Sequence, residues 1–150
     1  MKLLVINGPN LNLLGLREPG LYGTVDYNGL VQMIQTACEQ RGIEVRFYQS
    51  NHEGDLVDAI QQARFDCDGI VINPAAYTHT SVAVRDALEA VKLPAIEVHI
   101  SNIHTREEFR NHSITAPVCV GQVVGLGADG YEWAFRALVR RIGCNKENPR

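Results

Sequence analysis

Short apolar runs alternate along the chain with segments in which apolar residues recur every three or four positions. A continuous apolar run is typical of a strand buried on both faces of a parallel sheet, whereas the helical spacing is typical of an amphipathic helix. The runs predict strands near residues 3–6, 45–48, 69–74, 96–100 and 118–126. The spaced segments predict helices at 25–41, 55–65 and 81–91 and a last helix around residues 133–142.

Strands and helices that alternate in this way predict one α/β domain that spans residues 1–150. Repeated strand–helix units predict a doubly wound parallel sheet with helices on both faces, which is a three-layer α/β/α arrangement. For a sheet of this size, the flavodoxin-like strand order 2-1-3-4-5 is expected. Residues 145–150 are polar and are expected to form a flexible tail.

The composition narrows the class of protein. A chain of 150 residues with 45% apolar side chains can bury a stable core without disulfide bonds or structural metal ions. Its net charge of −3 argues against nucleic-acid binding. No apolar run approaches the ~20 residues that cross a bilayer, and the first residues do not resemble a signal peptide, so no membrane partner is expected. The four cysteines are widely spaced, which favours free thiols and a cytoplasmic location.

Polar side chains collect where the predicted strands end, and ligands of doubly wound sheets bind beyond those carboxyl ends. The connection after the first strand has about 16 residues, and such a long connection is typical of a lid, here carrying Arg17 and Tyr22. The fourth strand places Glu97 and His99 on one face, although a buried strand is normally apolar. A carboxylate beside an imidazole fixes the tautomer of the ring and favours its protonated form.

These strand ends supply hydrogen-bond donors that suit a small, hydroxylated, anionic ligand. The backbone amides of Ile100 and Ser101 are candidates for holding a carboxylate. The remaining candidates are Asn10, Asn73, His79 and Arg110, with Arg106 as either a ligand contact or a partner in a structural ion pair. Neither a metal nor a cofactor is expected, because the histidines lack ligand-like spacing and no phosphate-binding glycine motif is present.

Several motifs together resemble one known family. They are INGPNLN at 6–12, REP at 17–19 with YG at 22–23, NPAAYTHTS at 73–81, EVHISN at 97–102 and REEFR at 106–110. The chain resembles type II 3-dehydroquinate dehydratases over most of its length, although some members carry glycine where Ala75 stands. The resemblance implies anti elimination of water from 3-dehydroquinate through an enolate, giving 3-dehydroshikimate without metal or cofactor in the shikimate and quinate pathways.

The resemblance also implies catalytic roles for five of the candidates. Tyr22 would be the general base that removes the C2 proton, and Arg17 would stabilise its tyrosinate form. Asn10 would support the enolate oxygen. His99 would be the general acid for the departing C1 hydroxyl, with Glu97 orienting its ring.

Binding roles and an assembly follow from the same resemblance. The substrate carboxylate would be held by Ile100 and Ser101, and the ring hydroxyls by Asn73, His79 and Arg110. Asp86, on the third predicted helix, would reach the site of a neighbouring subunit. Trimers built in this way would form a homododecamer, a tetramer of trimers.

Two other classes of function stay open on the residues alone. A non-catalytic module could bind a polyhydroxy acid, but such a module needs neither a lid tyrosine nor a Glu–His pair. A flavin carrier shares the fold, but the connection after the first strand is rich in Asn and Leu rather than in Ser and Thr.

Overall fold

A computed structural model of the chain describes residues 1–16 and 25–147, and within these ranges the strands form one parallel sheet. The strands are β1 (Lys2–Asn7), β2 (Glu44–Gln49), β3 (Gly69–Asn73), β4 (Ala95–His99) and β5 (Gly121–Val124). They lie in the order β2-β1-β3-β4-β5, so the predicted flavodoxin-like order is confirmed.

Helices cover both faces of the sheet. They are α1 (Tyr27–Glu39), α2 (Glu53–Ala63), α3 (Val82–Val91) and α4 (Asp129–Glu147). One core joins α1 and α4 to one face, and a second core joins α2 and α3 to the other. Side chains close the first turns of two helices: Asp26 accepts from the Gly29 amide at 2.7 Å, and Ser81 accepts from the Val84 amide at 2.9 Å.

The apolar run in β1 supplies both cores. Leu3 and Val5 pack into the core of α1 and α4, whereas Leu4 and Ile6 pack into the core of α2 and α3. All four side chains are buried, because successive residues of a strand point to opposite faces. Full burial of such a side chain stabilises the fold by about 1.5–3 kcal/mol, and the continuous run therefore predicts a central strand.

Two elements differ in extent from the prediction. β5 begins only at Gly121, because residues Ala116–Val118 form a 3-10 turn around Pro117, which fixes its own φ and has no amide to donate. α4 continues through Glu147, so residues 145–147 of the predicted tail are helical, and residues 148–150 lie outside the described ranges. Trp133 lies in α4 as predicted, but its side chain is 54% exposed.

Among the described residues, no helix combines the length and the apolar character that crossing a bilayer requires.

Candidate active site

The carboxyl ends of β1, β3 and β4 open onto a pocket, because neighbouring parallel strands end at the same edge of the sheet. The predicted site residues that line it are Asn10, Asn73, His79, His99, Ile100, Ser101 and Arg110, and Arg106 lines it as well. Glu97 bonds His99 from within the core, and Asp86 is exposed on α3, away from this lining. Arg17 and Tyr22 lie outside the described residues.

The carboxylate of Glu97 is completely buried at the centre of a ring of donors. The donors to Oε1 are His99 Nε2 at 2.7 Å, Thr78 Oγ1 at 2.8 Å, Gln122 Nε2 at 2.8 Å and Ser113 Oγ at 2.9 Å, and Thr115 Oγ1 donates to Oε2. Burial alone would raise the pKa of Glu97, but the hydrogen bonds from His99 and Thr115 outweigh it and lower the pKa to about 2. Glu97 is therefore an anion at neutral pH.

Four of these donors had no place in the predicted site. Sequence analysis predicts no site role for Thr78, Ser113, Thr115 or Gln122. Gln122 stands opposite Glu97 in the register of β4 and β5. A buried carboxylate requires hydrogen-bond donors around it, but the sequence does not fix which position of a neighbouring strand lies opposite Glu97.

The ring of His99 lies between Glu97 and the pocket, and its side chain is 5% exposed. Since the carboxylate only accepts hydrogen bonds, Nε2 of His99 carries a proton. Nδ1 has no hydrogen bond to any described residue and is the ring nitrogen that remains for a ligand.

His79 presents the opposite polarity to the pocket. Its Nδ1 donates to the carbonyl oxygen of His112 at 2.8 Å. Burial lowers the pKa of His79, and although the bond to His112 opposes this, the charges of His99 and Arg110 lower the pKa further. The ring is thus neutral near pH 7, and its Nε2 can accept a hydrogen bond.

The walls formed by the β1 and β3 connections depend on unusual backbone conformations. Asn10 and Ala75 have φ values of 68° and 52°, which lie in the left-handed region. The Gly8 amide donates to the Asn73 carbonyl at 2.8 Å, and a Cβ at Gly8 would lie only 2.5 Å from the Pro74 carbonyl oxygen. The two connections therefore touch backbone to backbone, and a side chain at position 8 would separate them.

Two arginines follow β4 and share one acidic neighbour. Arg110 Nε lies 2.9 Å from Glu107 Oε2, and Arg106 Nε lies 3.8 Å from the same oxygen. Both arginines also line the pocket, so Arg106 has an acidic neighbour as well as a place in the lining. The guanidinium groups give the pocket a cationic rim that suits an anionic ligand.

Within residues 1–16 and 25–147, no cluster of three or more His, Cys, Asp or Glu side chains is arranged to hold a metal ion.

Residues 1–139 match the model of the family described as Dehydroquinase class II. The chain is 61% identical to 3-dehydroquinate dehydratase of Lachnospira eligens over 93% of this chain and 96% of that protein. It is 60% identical to 3-dehydroquinate dehydratase of Thermotoga neapolitana, over 95% of this chain and 96% of the relative. The crystal structure of type II dehydroquinase from Butyrivibrio crossotus superposes with a TM-score of 0.91 at 58% identity, covering 93% of this chain and 97% of that one.

Proposed function

The chain belongs to the class II dehydroquinase family and is a 3-dehydroquinate dehydratase, a hydro-lyase, and we propose that it works by anti elimination through an enolate. The C2 proton of 3-dehydroquinate passes to a base, and the C1 hydroxyl leaves with a proton from an acid, giving water and 3-dehydroshikimate. The observation that carries this mechanism is the buried Glu97–His99 pair at a pocket with a cationic rim.

His99 is the general acid. Glu97 accepts a hydrogen bond from Nε2 at 2.7 Å and holds the ring in one orientation, so that Nδ1 is the atom that delivers a proton to the departing hydroxyl. The donors around Glu97 keep its carboxylate anionic. A general acid of this kind typically accelerates a reaction 10²–10⁴-fold.

Tyr22 is the general base, supported by Arg17, and both assignments rest on the family resemblance. A tyrosine with an ordinary pKa near 10 needs roughly 4 kcal/mol of stabilisation to act near pH 7, and a guanidinium ion beside the tyrosinate would supply much of it. The described part of the same connection supports this assignment, because Asn10, Leu11 and Leu14 already line the pocket.

The remaining residues bind the polar groups of the substrate. Ile100 and Ser101 hold the carboxylate, Asn10 supports the enolate oxygen, and the ring hydroxyls contact Asn73, His79 and Arg110. No step in this mechanism needs a metal or a cofactor.

The working enzyme is a homododecamer, a tetramer of trimers, in which Asp86 completes the site of a neighbour. Its exposed position on α3, away from its own pocket, supports this role. The whole chain acts as one catalytic domain. The four free cysteines favour the cytoplasm, where the enzyme serves aromatic biosynthesis or quinate breakdown.

The experiment that tests the proposal follows the ultraviolet absorbance of the conjugated enone after 3-dehydroquinate is added to chelator-treated protein. We expect a rise that His99→Ala slows by at least a hundredfold and that Tyr22→Phe abolishes while the substrate still binds. If the absorbance of the folded wild-type protein did not rise, a polyhydroxy-acid binding module would replace the proposed enzyme. Full turnover by either variant would remove that residue from its role.

A further inference from the structure

Tyr131 of α4 is fully buried, and its hydroxyl lies between two asparagines at the ends of the central strands. Its Oη lies 2.6 Å from Asn7 Oδ1 at the end of β1 and 2.9 Å from Asn73 Nδ2 at the end of β3. Of these three residues, Asn73 lines the pocket. The phenol is thus separated from the pocket by a single side chain, although none of the roles described so far involves it.

The direction of every hydrogen bond in this network follows from one backbone group. The Ala75 amide can only donate, so the side-chain atom of Asn73 that lies 3.1 Å from it is the oxygen Oδ1. Nδ2 of Asn73 is therefore the atom that faces Tyr131, and it donates to Oη. The phenolic proton then goes to Asn7 Oδ1, and Asn7 Nδ2 donates to Tyr27 Oη at 3.5 Å.

The network leaves one hydrogen of the Asn73 amide without a partner among the described residues. Oδ1 of Asn73 accepts from the Ala75 amide, and one N–H of Nδ2 donates to Tyr131. Burial raises the pKa of Tyr131, so the hydroxyl keeps the proton that the network needs. The other N–H of Asn73 is what remains for a ligand in the pocket.

We propose that Tyr131 is a positioning residue that, together with the Ala75 amide, holds the Asn73 amide in one orientation, so that Asn73 presents its remaining N–H to the substrate as a hydrogen-bond donor. This inference rests on the proposed function, in which Asn73 meets a ring hydroxyl of 3-dehydroquinate. His79 offers a hydrogen-bond acceptor at Nε2, whereas Asn73 offers a hydrogen-bond donor at Nδ2.

The consequence for catalysis is specific. Tyr131→Phe removes the acceptor that holds Nδ2 and leaves the acid and base untouched. We expect KM for 3-dehydroquinate to rise about tenfold, the equivalent of one hydrogen bond, with kcat within about twofold of wild type. The affinity for the product 3-dehydroshikimate, measured by calorimetry, should fall by the same factor.

The decisive experiment places Tyr131→Phe in both the wild-type and the Asn73→Ala background. We expect Asn73→Ala to raise KM and Tyr131→Phe to add nothing to KM in that background. Tyr131→Phe should still lower the free energy of unfolding in both backgrounds. Tyr27→Phe is the matched control, because it removes a phenol from the same network without touching Asn73, and it should leave KM unchanged.

A second variant tests the polarity without altering Tyr131. Asn73→Asp keeps the shape of the side chain but has only acceptors in its ionised form, so its KM should rise at least as much as that of Asn73→Ala. The inference is overturned if Asn73→Asp keeps the wild-type KM, if Tyr131→Phe raises KM equally in both backgrounds, or if it leaves the wild-type KM unchanged. An inactive wild-type enzyme would instead contradict the proposed function. The wild type therefore tests the proposed function, and the variants test the role of Tyr131.

Discussion

Ala75 is a residue whose backbone conformation favours glycine. Its φ of 52° strains an L-residue by about 1 kcal/mol, and Asn73 Oδ1 holds its amide in place at 3.1 Å. Glycine would relieve this strain, but it would also gain conformational entropy in the unfolded chain. This balance explains how the chain can carry alanine at a position whose conformation favours glycine.

We expect Ala75→Gly to change the free energy of unfolding by less than about 0.5 kcal/mol, because the two effects offset each other. Ala76→Gly is the matched control, since it makes the same substitution one residue later without a positive φ, and it should destabilise the protein by about 0.5–1 kcal/mol. Urea unfolding followed by fluorescence measures both. Equal destabilisation by the two variants would show that the conformation at position 75 carries no strain.

The buried carboxylate of Glu97 makes stability depend on acid pH. Its pKa is lowered from 4.5 to about 2 in the folded protein, so ionisation stabilises the folded state fully above about pH 5.5. The stabilisation of about 3 kcal/mol falls as pH decreases, with about 2 kcal/mol lost between pH 6 and pH 3.

Urea unfolding at fixed protein concentration across this range tests the prediction. Glu97→Gln should lack this part of the pH dependence, because the amide does not titrate. Parallel curves for the wild type and the variant would mean that Glu97 is not held ionised by its donors.

At the scale of elements, the connection between β2 and α2 supports the two connections that carry site residues. Asn51 Oδ1 accepts from the Asn10 amide at 2.9 Å, and the Asn51 carbonyl accepts from Tyr77 Oη at 3.1 Å. Gln49 Nε2 adds a bond to the Gly8 carbonyl at 3.2 Å. A third segment, which does not line the pocket, therefore holds Asn10 in its left-handed conformation.

We expect Asn51→Ala to lower kcat about five- to tenfold by freeing the Asn10 backbone. The substitution removes the two bonds to Asn51 Oδ1, from the Asn10 amide and from Gln49 Nε2, while the Asn51 carbonyl and its bond to Tyr77 remain. Asn12→Ala removes an asparagine of the connection that carries Asn10, and among the described residues its side chain bonds only Gln49 Nε2, at 3.4 Å, so this variant should have less effect. Steady-state kinetics compares the two variants. A kcat for Asn51→Ala at or above that of Asn12→Ala would contradict the role of Asn51.

How well each element could be predicted depended on which interactions define it. The runs of β1 and β3 are buried on both faces, so their apolar character was sufficient to predict them and to place Glu97 and His99 as an exception in β4. The start of β5 could not be predicted in this way, because the valines at 118 and 120 are as apolar as those of the strand. Pro117 turns the chain there, and pairing with β4 begins at Gly121.

The site was predicted to the extent that its residues belong to recognisable motifs. The donors to Glu97 that follow β4 come from separate segments, with Ser113 and Thr115 on a connection and Gln122 on β5. Their proximity is a tertiary property, and no local spacing along the chain encodes it.

At the scale of the whole molecule, the proposed sharing of sites predicts both a mass and an exchange of function. Light scattering should give about 200 kDa, twelve times the 16.6 kDa chain, and a monomer would contradict the assembly. Asp86→Ala and His99→Ala should each be inactive alone, because each removes one half of a shared site.

Refolding an equal mixture of the two variants should restore roughly a quarter of wild-type activity, since that is the share of sites in which an intact His99 meets a neighbour's intact Asp86. Mixing Asp86→Ala with the double variant Asp86→Ala/His99→Ala is the control and should restore nothing. A mixture that stayed inactive would place Asp86 outside the neighbouring site.

The backbone contact between Gly8 and Pro74 sets the direction in which this pocket can be redesigned. No side chain fits between these two walls, since a Cβ at Gly8 would lie 2.5 Å from the Pro74 carbonyl oxygen. If position 8 were randomised in a library, most of the resulting variants could not form the pocket. Several residues between 100 and 110 line the pocket and take no part in this contact, so selection for altered substrates should enrich changes there.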